Sequence, residues 1–234
     1  MFFTMHLSCQ NISFRYPNAE NSVFSNLTLE VTEPGFNALF GPSGVGKTSF
    51  ARMIAGDIKD HTGEIRMTGI DRIAYTYNLE RLPGWSAVGR HLEKNIPESR
   101  KERMAELIEI FGIRDCMDQR FSQLSLGQKN RVNLIRYLLQ DFQLIILDES
   151  LANVDELTRE RIILRIKEIF PRTFFMYISH NVVEVSKFCK EILVFRGAHK
   201  RPQTVMVRGQ DLKTGQTLDK KAFELTMLEI MNAS

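Results

Sequence analysis

What the sequence lacks excludes several classes of protein. Its 234 residues include only three cysteines, Cys9, Cys116 and Cys189, and no CxxC pair. We therefore expect free thiols in a reducing compartment, not a disulfide framework or a zinc site. No apolar run approaches the ~18 residues typical of a membrane span. The start, MFFTMHLSCQ, lacks the basic and apolar regions of a signal peptide. These absences predict a soluble, cytoplasmic protein.

Charge and composition add a further exclusion. The net charge of +3 is small and no dense Lys/Arg stripe is present, so nucleic acid is not expected as a partner. With 43% hydrophobic and 25% charged residues, the composition is that of an ordinary globular protein. A chain of this length can bury one large core, and we expect a single domain over residues 1–234.

Hydrophobic periodicity divides this domain into three stretches. Residues 1 to about 80 contain LSCQNISFRY and SNLTLEV, whose period of two is typical of antiparallel strands, and then the apolar run GFNALF followed by a helix. From about 85 to 140 the pattern is helical, with Met104, Leu107, Ile108 and Phe111 on one face. From about 141 onward, LIILD, TFFMYIS and EILVF alternate with helical segments, which predicts buried parallel strands. Beyond residue 203 the pattern is weak, apart from a predicted helix in KKAFELTMLEIM.

The stretch GPSGVGKTS carries the strongest chemical signal. It satisfies G-x-x-x-x-G-K-[ST] and lies between an apolar strand and a helix, as a phosphate-binding loop (P-loop) requires. Backbone N–H groups and the helix N-terminus can surround a phosphate chain. Lys47 can neutralise β- and γ-phosphate charge, and the Thr48 hydroxyl can bind Mg²⁺. A dinucleotide fingerprint, G-x-G-x-x-G, is absent. The predicted nucleoside triphosphate site comprises Gly41, Pro42, Ser43, Gly44, Val45, Gly46, Lys47, Thr48 and Ser49.

A second motif, LIILDES, places two carboxylates at the end of a predicted buried strand. Ligands collect at the C-terminal edge of a parallel α/β sheet. Asp148 suits the coordination shell of Mg²⁺, through water. Glu149 follows it directly and can act as the general base that polarises an attacking water. The alternative for such an acidic pair is simple capping of the next helix.

The segment LSLGQKNR, residues 124–131, narrows the choice among P-loop proteins. With it the chain resembles the ATP-binding-cassette (ABC) family, whose members carry an LSGGQ signature just before the acidic strand. The resemblance runs in order over nearly the whole chain. The matching positions are Tyr16 in FRYPN for adenine stacking, Asn78 in YTYN for the glutamine loop, Ser125, Gly127 and Gln128 for the signature, Asp155 in LANVD for the D-loop and His180 in YISHN for the switch histidine.

The resemblance implies a fold and a way of working. The fold is α/β, a P-loop NTPase cassette with a mixed sheet core, an antiparallel β subdomain and an inserted α-helical subdomain. The core and β subdomain would take about 1–80 and 141–234, and the helical subdomain about 85–140. Two cassettes would pair head to tail, so that each ATP lies between the P-loop of one and the signature of the other. Glu149 and His180 would be catalytic, and Thr48, Asp148 and Asn78 would contact Mg²⁺.

Some matched positions depart from the family or allow another explanation. Leu126 stands where the signature has its first glycine. Leucine keeps the backbone N–H but adds bulk and disfavours positive φ, which predicts a weaker contact with the partner's γ-phosphate. Asn78 is one methylene shorter than the usual glutamine. Tyr16 could pack in a corner between strand and turn, His180 could be a polar strand terminus, and Asp155 could cap the helix that follows it. No departure removes a P-loop or base residue, so we expect a working, slow ATPase.

The resemblance also implies a biological role. The segment NLERLPGWSAVGRHL resembles the stretch after the glutamine loop in bacterial importer subunits, especially of the nitrate, sulfonate and taurine group. The expected function is an ATP-hydrolysing subunit at the inner face of the cell membrane, which energises import of a small solute. Its partners would be transmembrane permease subunits, a second copy or a homologous cassette, and indirectly an extracytoplasmic solute-binding protein. Leu82 and Trp85 are candidate contacts with the permease, although Trp85 could instead fill the core of the helical subdomain. The alternative is a soluble ABC ATPase that acts on nucleic acid or ribosomes.

Overall fold

The structure, a computed structural model, describes residues 5–76, 86–94, 96–197 and 200–234. In these ranges strands and helices alternate in an α/β arrangement. The strands are β1 (His6–Phe14), β2 (Phe24–Val31), β3 (Gly35–Phe40), β4 (Thr62–Thr68), β5 (Ile73–Thr76), β6 (Leu144–Asp148), β7 (Phe174–Ser179), β8 (Glu191–Phe195) and β9 (Thr204–Arg208). The α-helices are α1 (Lys47–Ile54), α2 (Val88–Glu93), α3 (Lys101–Ile110), α4 (Leu126–Leu138), α5 (Glu156–Ile169), α6 (Val182–Phe188) and α7 (Lys220–Ala233).

Three strands form a small antiparallel sheet in the order β2-β1-β4. In β1 the buried side chains alternate up to Cys9 and then resume at Ile12, which shifts the buried positions from odd to even numbers. A register irregularity falls between these residues, and Asn11 takes a left-handed φ of 54°. Such a β-bulge bends the strand and allows both of its halves to bury their apolar side chains.

Six strands form the main sheet in the order β5-β6-β7-β3-β8-β9. The first five are parallel, and β9 runs antiparallel to β8 at the edge. This mixed sheet and the small antiparallel sheet confirm the predicted α/β class. The weak pattern predicted beyond residue 203 concealed β9, because a short edge strand buries only some of its side chains.

Neighbouring residues of the central strands pack on opposite faces of the main sheet. Leu144 and Ile146 contact a core shared with α1 and the small sheet, while Ile145 and Leu147 contact a core shared with the helices α3 to α6. Burial on both faces explains why LIILD reads as a continuous apolar run.

Helices α2, α3 and α4 occupy the middle of the chain. On α3, Met104 and Leu107 are buried, Ile108 is partly buried, and Phe111 caps the helix C-terminus inside the core. This is the predicted apolar face of that helix. None of the helices in the described ranges combines the length and the apolar character that a membrane span needs.

Candidate functional site

Three adjacent parallel strands direct the predicted motifs to one edge of the sheet. The order β6-β7-β3 places Asp148 of β6 opposite Ile178 of β7, and Phe40 of β3 opposite Ser179 of β7. The P-loop follows Phe40, His180 follows Ser179, and Glu149 follows Asp148. Because parallel strands end at the same edge, residues far apart in sequence meet there.

The P-loop lies tightly against its surroundings. Gly46 precedes α1 with a left-handed φ of 106°, and a Cβ atom there would lie 2.6 Å from Val23 Cγ1 and 2.7 Å from Phe24 Cζ. Both the conformation and the space therefore require glycine. The first turn of α1 contains no acidic residue. Its N-terminal N–H groups and partial positive charge are available to an anion.

The ammonium group of Lys47 lies over its own loop. Its Nζ donates hydrogen bonds to the carbonyl oxygens of Gly41, at 2.7 Å, and Pro42, at 2.8 Å. Burial lowers the pKa of Lys47, and the carboxylates of Glu149 and Asp148 act in the opposite direction. The two predicted acidic residues therefore favour the charged form of Lys47 electrostatically.

The two carboxylates at the end of β6 have different surroundings. Asp148 Oδ2 accepts a hydrogen bond of 2.6 Å from the hydroxyl of Tyr75 on the neighbouring strand β5. Glu149 has a left-handed φ of 51°, unusual for a residue with a side chain, and its side chain is about half exposed. Such strained conformations cluster at functional sites. Sequence reasoning did not include Tyr75, although it lies in the same YTYN segment as Asn78.

His180 lies beside Glu149. Its Nδ1 is 4.0 Å from Glu149 Oε1, and its side chain is 74% exposed. The turn around it is held at both sides, because Asn181 donates its N–H to Ser179 Oγ at 3.1 Å and accepts the N–H of Glu184 on its side chain at 3.2 Å. The backbone of this turn is therefore held by hydrogen bonds, whereas the side chain of His180 is exposed.

Tyr16 contacts the P-loop helix. Its hydroxyl is 2.9 Å from Ser49 Oγ, and its ring packs edge-on against Phe14 with centroids 4.7 Å apart. The residue as a whole is 40% exposed. The corner packing considered for Tyr16 is therefore present, and it leaves part of the ring open. The hydroxyl of Ser49, a predicted site residue, is buried in this contact.

The signature residues form the start of α4. Ser125 is the N-cap, its Oγ accepts the N–H of Gln128 at 3.2 Å, and the Gln128 side chain accepts the N–H of Ser125 at 2.8 Å. This is a capping box. Leu126 is the first helical residue and is 44% exposed. The positive-φ reason for a weaker contact is therefore wrong, because this position is right-handed helix, while the effect of the leucine's bulk stays a prediction.

Gly127 of the signature lies against the turn that contains the D-loop. A Cβ atom at Gly127 would lie 2.4 Å from the carbonyl oxygen of Asn153. Two residues further on, Asp155 is the N-cap of α5 and accepts the N–H of Thr158 at 2.9 Å. This hydrogen bond is the main reason that the pKa of Asp155 is lowered. The helix-capping explanation of Asp155 is thus present in the structure.

The structure brings some predicted site residues together and separates others. Lys47, Asp148, Glu149 and His180 share one edge of the main sheet. Within the described part of the chain, no hydrogen bond or ion pair joins residues 125–128 to residues 41–49. The predicted metal contact Asn78 and the predicted permease contacts Leu82 and Trp85 lie outside the described residues.

A P-loop between β3 and α1, beside an acidic end of β6, defines the class of P-loop nucleotide-binding folds. Residues 24–152 match the family described as ABC transporter. The chain therefore belongs to the ABC transporter family, and the family predicted from its motifs is confirmed.

Relatives include import proteins with different cargoes. The molybdenum import ATP-binding protein ModC of Brucella abortus is 32% identical over 196 residues, which is 74% of this chain and 54% of ModC. The nickel import ATP-binding protein NikE of Pseudomonas putida is 31% identical, covering 78% of this chain and 77% of NikE. The taurine import ATP-binding protein TauB of Pseudomonas putida is 29% identical, covering 80% and 77%. The chain spans about half the length of the first of these relatives.

A solved structure supports the fold. A bacterial Atm1-family ABC exporter with ATP bound matches 82% of this chain and 37% of its own, with a TM-score of 0.72 and 19% identity. At this identity the match shows the fold alone, and it confirms the predicted cassette.

Proposed function

We propose that this chain is the ATP-binding and ATP-hydrolysing subunit of an ABC transporter, and that it energises a separate membrane permease. One observation supports the proposal: Glu149 and His180, whose side chains are 4.0 Å apart, and the P-loop with Lys47 follow the adjacent parallel strands β6, β7 and β3 at one edge of the sheet. A phosphate-binding lysine, a carboxylate base and a polar switch group are what ATP hydrolysis needs at one position.

The P-loop would hold the triphosphate. Residues 41–49 would wrap it with backbone N–H groups, and Lys47 would exchange its two carbonyl contacts for phosphate oxygens. The exposed part of the Tyr16 ring would stack on adenine.

The donor set also fits Mg²⁺, which we propose as the cofactor. The Thr48 hydroxyl and the Asp148 carboxylate are hard oxygen ligands, and Tyr75 orients Asp148. Mg²⁺ keeps several waters and takes few protein ligands. This agrees with the finding that no cluster of three His, Cys, Asp or Glu ligands occurs among the described residues. Bound Mg²⁺ would neutralise charge on the β- and γ-phosphates.

Hydrolysis would use Glu149 as general base. Its carboxylate is half exposed at the mouth of the site, where it can accept a proton from the water that attacks the γ-phosphate. His180, 4.0 Å away, would contact the γ-phosphate and hold Glu149 and the water in place. The base contribution is typically ~10²–10⁴ in rate.

The signature would act on the nucleotide of a second cassette. The start of α4 carries an exposed leucine and a helix N-terminus, and in the described part of the chain residues 125–128 form no hydrogen bond or ion pair with residues 41–49. We propose that Ser125, Gly127 and Gln128 border the partner's γ-phosphate in a head-to-tail dimer, with Asp155 at the same interface. ATP would then close the dimer and hydrolysis would open it.

Import of a small solute is the direction that the relatives favour, since their names specify molybdenum, nickel and taurine import. We propose permease subunits as direct partners, a solute-binding protein as an indirect one, and a position at the inner face of the membrane. We also propose that the chain acts as one cassette, with the helical subdomain of about residues 85–140 inserted in the nucleotide-binding core.

The first test is the Glu149→Gln variant. It should bind Mg-ATP with the parent's affinity and hydrolyse it about 10²- to 10⁴-fold more slowly, because the amide cannot accept the proton. Equilibrium binding and phosphate release measure the two effects. Glu156→Gln, an exposed carboxylate in the first turn of α5, serves as the control and should behave as the parent. Turnover of Glu149→Gln at the parent rate would exclude Glu149 as the base.

The partner is tested with the same variant. Tagged Glu149→Gln protein, loaded with ATP, is captured from detergent-solubilised membranes of its own cell and the bound proteins are identified by mass spectrometry. We expect a multi-span membrane protein in stoichiometric amount. Recovery of ribosomal or nucleic-acid-binding proteins alone would contradict the transporter and favour a soluble ABC ATPase.

A further inference from the structure

A buried carboxyl group lies behind the candidate site and has no role in the mechanism above. Glu184, in the first turn of α6, is 6% exposed. Its Oε1 accepts a hydrogen bond of 2.5 Å from the hydroxyl of Tyr177, and its Oε2 is 3.7 Å from Arg159 Nε. A buried acid with two polar partners requires an explanation, because its burial costs free energy.

Arg159 connects Glu184 to the turn that follows the proposed base. Arg159 belongs to α5, and its side chain is 20% exposed. Its Nη1 lies 3.5 Å from the carbonyl oxygen of Leu151, two residues after Glu149. The guanidinium group thus contacts the backbone between Glu149 and the D-loop on one side and the Glu184 carboxyl on the other.

On its other side, Glu184 is attached to the turn that contains His180. Its backbone N–H donates to Asn181 Oδ1 at 3.2 Å, and Asn181 directly follows the histidine. A pocket of about 100 Å³ separates the two turns. It is lined by Glu149, Ala152, Arg159, Tyr177, Ile178, Ser179, His180, Asn181 and Glu184.

The electrostatics of Glu184 depend on both partners. Burial raises the pKa of Glu184, while the Tyr177 hydrogen bond and the Arg159 charge act in the opposite direction. His180 also favours the ionised carboxylate, and Glu156 disfavours it. Removing either Arg159 or Glu184 would leave the other charge poorly compensated.

We propose that Arg159 and Glu184 are positioning residues that hold the Glu149 turn and the His180 turn at a fixed separation. This inference rests on the proposed ATPase activity. We assign neither residue a contact with the nucleotide. The pair acts through the backbone of Leu151 and through Asn181, so that the carboxylate of Glu149 and the ring of His180 face each other across 4.0 Å. Misplacement of a reacting group by about 1 Å can cost ~10²-fold in rate.

A second ion pair on the same two helices provides a matched control. Lys187 Nζ of α6 is 2.7 Å from Glu160 Oε1 of α5. Its side chains are 22% and 32% exposed, and among the described residues neither side chain forms a hydrogen bond or ion pair with the Glu149 turn or the His180 turn. If any ion pair between α5 and α6 were sufficient to position the site, loss of this shorter ion pair would lower kcat at least as much as loss of Arg159–Glu184.

The experiment compares Glu184→Gln, Arg159→Gln, Arg159→Lys and Glu160→Gln with the parent, by measuring kcat and KM for Mg-ATP and the thermal unfolding midpoint. We expect Glu184→Gln and Arg159→Gln to lower kcat about 10- to 100-fold with KM little changed. Arg159→Lys should recover part of the loss because it retains the charge. Glu160→Gln should match the parent's kcat. The double variant Arg159→Gln/Glu184→Gln should be no slower than the slower single variant.

Each other outcome overturns the inference in a distinguishable way. Parent-like kcat in folded Glu184→Gln and Arg159→Gln would show that the pair does not position the site. Equal losses in Glu160→Gln would assign the effect to the helix contact in general. If Glu184→Gln does not fold, the inference is still tested by Arg159→Gln, which should have a lower kcat, and by Arg159→Lys, which should recover part of it. A parent chain that binds ATP without turnover would instead overturn the proposed ATPase, and the inference with it.

Discussion

Two helices of this chain begin at motifs for anion recognition, and their first turns are built differently. α1 follows Gly46, which has no side chain to cap it, so its N-terminal N–H groups are left for a ligand. α4 follows Ser125, whose hydroxyl and Gln128 amide form a capping box within the chain. The N-terminal N–H groups of α1 are thus available to a phosphate. At the start of α4, side chains of the chain itself already accept some of the corresponding N–H groups.

Because their first turns differ, we expect α1 and α4 to contribute differently to the free energy of nucleotide binding. A helix start whose charges await an anion can bind nucleotide strongly by itself. A self-capped helix start adds only the interactions that remain, namely its partial charge and the backbone around Gly127. We infer that nucleotide affinity comes mostly from the P-loop, and that the signature contributes to closure of two cassettes. The predictions below test this division.

The largest effect is expected at Lys47. Lys47→Ala removes the ammonium group beside the loop carbonyls, and hydrogen bonds to charged groups contribute about 1.5–3 kcal/mol each. Mg-ATP should therefore bind about 10- to 100-fold more weakly in equilibrium titration. Lys59→Ala, an exposed lysine after α1, is the control and should bind as the parent. Unchanged affinity in Lys47→Ala would place the main phosphate contact elsewhere.

A smaller effect is expected at Gly127. Alanine is the better helix former by about 1 kcal/mol, but its Cβ would lie 2.4 Å from the backbone oxygen of Asn153. Overpacking against backbone costs about 1–3 kcal/mol, so Gly127→Ala should lower the free energy of unfolding. Leu126→Ala, in the same turn, removes only an exposed side chain and should change it by no more than about 0.5 kcal/mol. Urea unfolding measures both. A stabilised Gly127→Ala would show that helix propensity, not the contact with Asn153, decides this position.

The smallest effect is expected at Asp155 and depends on pH. The N–H of Thr158 lowers the pKa of Asp155 in the folded chain, so ionised Asp155 stabilises the fold above the ordinary aspartate pKa of about 3.9. Asparagine retains the cap without the charge. Asp155→Asn should therefore have the lower unfolding midpoint near pH 7, and the difference should vanish as the pH falls through the lowered pKa. Added salt should reduce it, because the group is exposed. A difference that grows in acid would contradict this account.

Much of the fold could be predicted because the elements carry their own pattern. The run LIILD predicts a doubly buried strand, and α3 shows its apolar face in its spacing. β9 was not predicted because its short sequence shows no clear pattern, and it becomes a strand through its antiparallel pairing with β8. The shift of burial within β1 depends on a bulge that no period-two pattern describes.

The candidate site likewise contains residues that could be predicted from the sequence and residues that could not. Lys47, Asp148 and Glu149 could be predicted because each lies in a motif with its own strand and helix. Arg159 and Glu184 carry no motif, and a carboxylate on α6 could equally have faced solvent. Their contact arises because α5 and α6 pack side by side on one face of the main sheet.

The ability to bind phosphate, to activate water or to cap α4 can be read from the amino acids, because it follows from side-chain type and from neighbours within a few positions. Other relations appear only in the folded chain: the ends of β6, β7 and β3 are adjacent, the carbonyl of Asn153 excludes a side chain at Gly127, and Glu184 is buried against Arg159 and Tyr177. These relations depend on strand order and helix packing, which bring together residues separated by long stretches of chain.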